Sequence, residues 1–264
     1  MKTEKKVAAV TGGSSGIGKA TAALFAAKGY RVYDLSRTGT DETGVTHLYA
    51  DVTQPETLAA AMAQIAEAEG RLDVLVCCAG MGVSGPVEFI PEADTKRQFE
   101  VNLFGTVNTV KAALPYMRKA RAGRIVALSS VAAVYAIPFQ AYYSASKAAV
   151  NAFITALNSE IAPFGLWATA VMPGDIATGF TAARQKTTRG ADVYTHAESA
   201  VAKMEKDEQN GMPPAAVARL IYKLAQKKRV GPCYTVGAAY KTLVFLKRLF
   251  PGALAAKIVG GMYE

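Results

Sequence analysis

Tyr143 and Lys147, in the run Tyr143-Ser144-Ala145-Ser146-Lys147, lie four residues apart and share a face of any helix that passes through them. A free tyrosine titrates near about 10, and a neighbouring ammonium favours its phenolate. A phenol so placed can take a proton from an alcohol or return one to a carbonyl oxygen. Tyr142 is a rival, but only Tyr143 has a lysine four residues on. A Tyr/Lys pair alone occurs on many helix surfaces, so its weight depends on what accompanies it.

What accompanies it is a glycine turn, Thr11-Gly12-Gly13-Ser14-Ser15-Gly16-Ile17-Gly18. Glycines let a chain turn tightly and let a pyrophosphate approach main-chain N–H groups. A helix starting there adds partial positive charge for the anion. The hydroxyls of Ser14 and Ser15 add donors. A strand before the turn and a helix after it make a plain turn the weaker reading.

The elements that must position these groups follow from periodicity. Short β-branched runs predict strands at Lys6 to Val10, Arg31 to Leu35, His47 to Ala50, Leu72 to Cys78, Arg124 to Ser129, Leu166 to Val171 and Cys233 to Val236. Helices are predicted at Ile17 to Lys28, Pro55 to Glu69 with Thr53 as cap, Thr95 to Met117, and Ser144 to Ile161. Pro115 is expected to kink the third of these or to lie near its boundary. Alternating strands and helices argue for a parallel sheet covered on both faces, a three-layer doubly wound Rossmann-type α/β fold of about seven strands. No repeat or linker divides residues 1–264, so a single domain is expected. Residues 178–214 are polar and rich in Gly and Pro, and read as a lid or insertion.

The spacing T-G-x-x-x-G-x-G, with the Tyr143/Lys147 motif downstream, resembles the short-chain dehydrogenase/reductase family. Other positions follow in family order. Asp51, with Val52 beside it, resembles the acid that bonds the adenine amino group. Asn102, in Asn102-Leu103-Phe104-Gly105, resembles the catalytic asparagine, and Ser130 the catalytic serine. Pro173-Gly174, Ile176 and Thr178 match the segment flanking the nicotinamide. The resemblance implies that Lys147 bonds the nicotinamide ribose, Ser130 holds the substrate oxygen, and Asn102 positions a water relaying protons to Lys147. It also implies a homodimer or homotetramer. One departure stands out: where the family has Asn-Asn-Ala-Gly, this chain has Cys77-Cys78-Ala79-Gly80. Ala79 and Gly80 still permit close approach of the cofactor, while the missing amide calls for another hydrogen-bond partner, such as water.

The choice between NADP and NAD has a physical handle. An acid at the end of the second strand bonds a ribose 2′-hydroxyl and repels a 2′-phosphate. Ser36 falls there, followed by Arg37, whose guanidinium suits a phosphate. NADP(H) is therefore expected. If Asp34, two residues earlier, faces the same site, NAD is favoured instead.

Composition is that of an ordinary globular chain, with 51% hydrophobic and 19% charged residues. Cys77, Cys78 and Cys233 make no disulfide framework, and two histidines make no zinc site, so no metal is expected. Cys77 and Cys78 are adjacent in an apolar run and are expected on opposite strand faces. Reduced thiols, and no segment resembling a leader or membrane span, predict a cytoplasmic protein. The net charge is +9, and from Ala215 onward nine basic residues face one acid, Glu264. No nucleic-acid module is recognisable, so this reads as a solvated basic face rather than a nucleic-acid site.

Met81, Val83, Val134, Tyr135, Pro138, Phe139, Gln140, Ile176 and Phe180 are expected near the substrate, and their largely apolar character suits a hydrophobic alcohol or ketone. The tail, residues 238–264, carries Tyr240, Leu243, Val244, Phe245, Leu246, Leu249, Phe250, Leu254, Ile258 and Val259 among basic residues. Such a helix can make peripheral membrane contact, pack on a second subunit, cover the substrate pocket or pack on its own body. Tail and second-strand region resemble the steroid- and retinol-dehydrogenase-like branch. The expected function is NADP(H)-dependent interconversion of a secondary alcohol and a ketone on a lipid-like substrate. A 3-oxoacyl-thioester or other carbonyl reductase, and a non-catalytic NADP-binding scaffold, are the alternatives.

Overall fold

A computed structural model of the chain describes residues 5–247 and 260–261. Its strands fall on the predicted apolar runs with ends displaced by one or two residues: β1 (Val7–Thr11), β2 (Arg31–Ser36), β3 (Val45–Tyr49), β4 (Val74–Cys77), β6 (Gly123–Leu128), β7 (Leu166–Met172) and β9 (Cys233–Thr235). They form one seven-stranded sheet in the order β3-β2-β1-β4-β6-β7-β9, every pair parallel. β1, β4 and β7 are buried along their whole length, as a sheet covered on both faces requires. The expected Rossmann-type architecture is present.

Two cores sandwich the sheet. On one face α2 (Pro55–Glu69), α4 (Gly105–Ala120) and α5 (Ala141–Ile161) bury Leu58, Met62, Met117 and Ile154 against β-strand residues such as Leu35 and Leu75. On the other, α1 (Gly16–Ala27) and α8 (Pro214–Ala225) bury Phe25, Val217 and Ile221 against Val10, Val76 and Val126. Cys77 belongs to the first core and Cys78 packs against the second, so the pair does face opposite ways.

Several expectations need correction. Thr53 does not cap α2, where Gln54 holds the cap position; its N–H and Oγ1 bond Asp51 Oδ1 at 2.9 and 2.8 Å. The helix expected over Thr95 to Met117 runs longer and is interrupted. It comprises α3 (Glu92–Phe99), a π-helical turn (Glu100–Phe104) and α4, which continues five residues past Pro115. α5 starts at Ala141, three residues before the expected Ser144.

The Gly/Pro-rich stretch holds more order than its composition suggested. It contains α6 (Phe180–Ala183), β8 (Gln185–Lys186) and α7 (Ala197–Gln209). β8 pairs with β5 (Val83–Ser84), a second small sheet that periodicity did not reveal. The end of the stretch returns to its start: Met212 N–H donates to the Asp175 carbonyl at 2.9 Å, and Ala177 N–H to the Met212 carbonyl at 3.0 Å. A last helix, α9 (Ala238–Leu246), follows β9. Leu249, Phe250, Leu254, Ile258 and Val259 lie outside the described residues. No helix among the described residues is long and apolar enough to cross a membrane.

Candidate active site

The carboxyl ends of the parallel strands open into one cavity of about 950 Å³, where ligands of open α/β sheets bind. At one end the glycine turn presents Gly12, Ser14, Ser15, Gly16 and Ile17. Ser36, Arg37, Thr38, Asp51 and Val52 line the wall beside it. Ala79, Gly80, Ser130, Tyr143, Lys147, Pro173, Gly174, Ile176 and Thr178 line the rest. Of the residues expected to bind the cofactor or act in catalysis, only Gly18 and Asn102 do not line the cavity.

Gly18 has a steric reason to be glycine. A Cβ there would stand 2.1 Å from the Gly12 carbonyl oxygen, so any side chain would force the turn and α1 apart. Gly12, at φ +66°, takes the left-handed conformation the turn needs. Thr11 Oγ1 lies 3.2 Å from Cys78 N and 3.4 Å from Ala79 N. Thr11 of β1 thus ties down the backbone of Cys78 and Ala79.

Asp51 is held by the two Thr53 bonds. Burial raises its pKa, but those bonds and the charges of Arg37 and Arg97 prevail and keep it below the usual aspartate value. Asp34 is sequestered: its Oδ2 accepts the Ser36 hydroxyl at 2.7 Å and lies 3.2 Å from His47 Nδ1. It is buried against Gly13 and does not line the cavity, whereas Ser36 and Arg37 do.

Tyr143 sits in the first turn of α5, and Lys147 one turn on. The Ser130 hydroxyl lies beside the Tyr143 phenol and favours its ionised form. Ser130 Oγ also accepts Ala132 N–H at 3.1 Å, which fixes it at the end of β6. Its rival Ser129 spends its hydroxyl on the Lys147 carbonyl at 3.0 Å. Tyr142 is half-buried and outside the cavity, its hydroxyl directed at the Val87 carbonyl.

The electrostatics differ from the expectation that Lys147 would favour phenolate. Burial pushes the Tyr143 pKa up to about 12; Ser130 lowers it, Glu208 raises it and Arg184 lowers it. Lys147 is not among these influences. Its Nζ donates to the Leu128 carbonyl at 2.9 Å and stands 5.8 Å from the Tyr143 ring centre. Burial pulls the Lys147 pKa down to about 8, against a small opposing effect of Cys78. Desolvation thus outweighs pairing at both groups, and Tyr143 rests as a neutral phenol.

Asn102 occupies the π-helical turn, a feature frequent at functional sites. Its Oδ1 accepts Met81 N–H at 2.8 Å, and its Nδ2 donates to the Met81 carbonyl and to Ser146 Oγ, both at 3.0 Å. Ser146 in turn donates to the Tyr143 carbonyl at 2.8 Å. Asn102 therefore ties the loop after β4 to the first turn of α5. The sequence reading missed Ser146, although it lies inside the Tyr143/Lys147 motif.

Of the expected substrate-side residues, Met81, Tyr135, Gln140, Ile176 and Phe180 line the cavity; Val83, Val134, Pro138 and Phe139 do not. Val83 is committed to β5. Three carboxylates that the sequence did not single out also line it: Asp175, Asp207 and Glu208. Glu208 pairs with Arg184, whose side chain is 1% exposed, and accepts the Thr181 hydroxyl at 2.6 Å. No local motif marks these residues, because separate turns of the chain assemble them.

The cradle of glycines, the anchored Asp51 and the exposed Arg37 fit a dinucleotide, and the cavity continues from it to Tyr143. Gly80 completes the fit: a Cβ there would approach Asn102 Oδ1 at 3.3 Å and Lys147 Nζ at 3.6 Å, so the floor beside Lys147 stays clear.

The fold and this site define a nicotinamide-dependent oxidoreductase acting on alcohol or carbonyl groups. The family model described as short chain dehydrogenase matches residues 6–189, and the chain belongs to that family. It is 39% identical over 243 residues to a 3-ketodihydrosphingosine reductase of Bacteroides thetaiotaomicron, covering 88% of this chain and 90% of that one. Among solved structures, a short-chain dehydrogenase from Streptomyces avermitilis superposes with a TM-score of 0.85 at 27% identity, covering 94% of both chains. ElxO with NADP bound superposes with a TM-score of 0.76 at 27% identity, covering 90% of this chain and 99% of that one.

Proposed function

We propose that the protein uses NADPH to reduce a ketone to a secondary alcohol on a long-chain substrate with a polar head. The observation that carries this reading is the placing of Tyr143 and Ser130 in one cavity that is continuous with the nucleotide cradle. A neutral phenol is a donor, and a donor is what a carbonyl oxygen needs as it gains negative charge. When bound, the cofactor supplies the hydride to the carbonyl carbon. Tyr143 gives its proton to the carbonyl oxygen. Ser130 donates to the same oxygen and spreads its developing charge. Lys147 holds the nicotinamide ribose, and Asn102 keeps Met81 and the first turn of α5 in register.

The preference for NADP rests on Arg37 facing the cavity while Asp34 is turned away from it. The NADP-bound ElxO structure supports it. The substrate class rests on the cavity walls, which combine apolar side chains with Asp175, Asp207 and Glu208. A sphingoid ketone, the kind of compound in the name of the Bacteroides relative, carries a hydrocarbon chain together with hydroxyl and amine donors that carboxylates can accept. Residues 178–214 act as the lid in this reading, because Thr178, Phe180, Ala183, Gln185, Asp207 and Glu208 all line the cavity. The free thiols support the expectation of a reducing, cytoplasmic setting.

The test is Tyr143→Phe assayed with NADPH and a long-chain amino ketone. Turnover should fall by about 100-fold or more while NADPH still binds, as read by its fluorescence. Retained turnover would remove Tyr143 from this role.

A further inference from the structure

The cavity has a wall from outside the segment that the family model matches: Tyr240, Leu243 and Leu246 of α9 reach it although residue 189 ends the match. The spacing places Tyr240 and Leu243 on one side of α9, with Leu246 a turn further on. Two attachments hold that side inward. At the helix start, the Tyr240 hydroxyl donates to the Asp175 carboxylate and accepts Asp175 N–H at 3.2 Å. Its ring lies flat against Gly174, where a Cβ would stand 2.2 Å from the ring. One turn on, the Tyr135 hydroxyl donates to the Leu243 carbonyl at 2.7 Å, and Lys247 Nζ lies 5.2 Å above the Tyr135 ring. Val244 packs on the small apolar cluster of Val131, Tyr135 and Met172.

For the described part of the tail, these contacts show packing on the chain's own body and a place at the pocket. α9 is seated on its own body, with Leu243 and Leu246 facing the cavity. Val131, Tyr135, Leu243 and Leu246 give the cavity an apolar lining on the side where α9 is seated. The carboxylates lie on the nicotinamide-flanking segment and on α7.

We infer that α9 is the hydrocarbon-holding wall of the substrate site, with Leu243 and Leu246 setting the length of alkyl chain it accepts. This deepens the ketone-reductase reading and rests on it for the chemistry at Tyr143. Apolar contact area is what α9 offers, and area buried per methylene is what makes chain length count. Tyr240 acts as a positioning residue, because it ties the wall to the segment beside Gly174.

The experiment measures direct binding, so that it does not depend on turnover. Methyl ketones bearing hexyl, decyl or tetradecyl chains are titrated calorimetrically into the full-length protein and into Leu243→Trp and Leu246→Trp. Both leucines are partly exposed, so a larger side chain there leaves the core intact. The ratio of tetradecyl to hexyl affinity should fall more than about tenfold in each variant. Leu246→Ala adds room instead, and should move the ratio the other way. A ratio unchanged in all three variants would overturn the inference. Failure of the parent protein to reduce any of these ketones with NADPH would count against the proposed function alone, since the binding ratios are read separately.

Discussion

Lys147 Nζ donates to the Leu128 carbonyl rather than to Tyr143, and stands 5.8 Å from the centre of the tyrosine ring. The ammonium faces the tyrosine ring, not its hydroxyl. Burial governs each of them separately.

Their pH dependence follows. Burial lowers the Lys147 pKa from 10.5 to about 8, so its ammonium is fully present only below that pH. Tyr143, raised to about 12, keeps its proton throughout the working range. Ketone reduction measured as kcat/KM should therefore decline as pH rises through about 8. In Lys147→Arg the guanidinium stays charged, and the decline should move to higher pH. An identical profile in the variant would show that another group titrates.

Cofactor choice should respond to Arg37. Its guanidinium lines the cavity beside Ser36 and Thr38. Arg37→Ala removes a charge-assisted hydrogen bond of about 2 kcal/mol, so NADPH binding should weaken about 30-fold with little change for NADH. Equal weakening of both cofactors would place the 2′-phosphate elsewhere.

The Arg184–Glu208 pair makes a different prediction, about stability. Arg184 is buried, and its Nε and Nη1 have no partner. Removing one member leaves an uncompensated charge, so Arg184→Met or Glu208→Leu alone should destabilise by about 3 kcal/mol. The double variant should recover most of that loss in thermal unfolding. Simple additivity of the two single losses would show that the pair does not act as a unit.

The parts of the site that could be read in the sequence are those whose causes are local. The glycine turn and the Tyr143/Lys147 pair each depend on spacing within a few residues, and each lies where the alternation of strands and helices placed it. The sequestering of Asp34 was not legible, because it depends on His47 from the next strand and on the packing of Gly13. The interruption at Asn102 was hidden inside an apparently continuous helical pattern. α7 was missed because it buries only a narrow stripe, Ala197, Ala200 and Met204, beneath a charged surface. The Tyr240–Asp175 bond joins residues 65 apart, and nothing near either one announces the other.

The seating of α9 has a consequence for the order in which the protein becomes competent. Every group proposed to take part in proton transfer is synthesised well before α9, and the strand that leads into it, β9, is the last of the seven along the chain. A nascent chain halted before Tyr240 would carry a complete set of reacting groups in a vessel with one side open. Its contents would be exchanged with water, and it would hold no long-chain guest. Enclosure of the site thus depends on a segment that follows every reacting group along the chain.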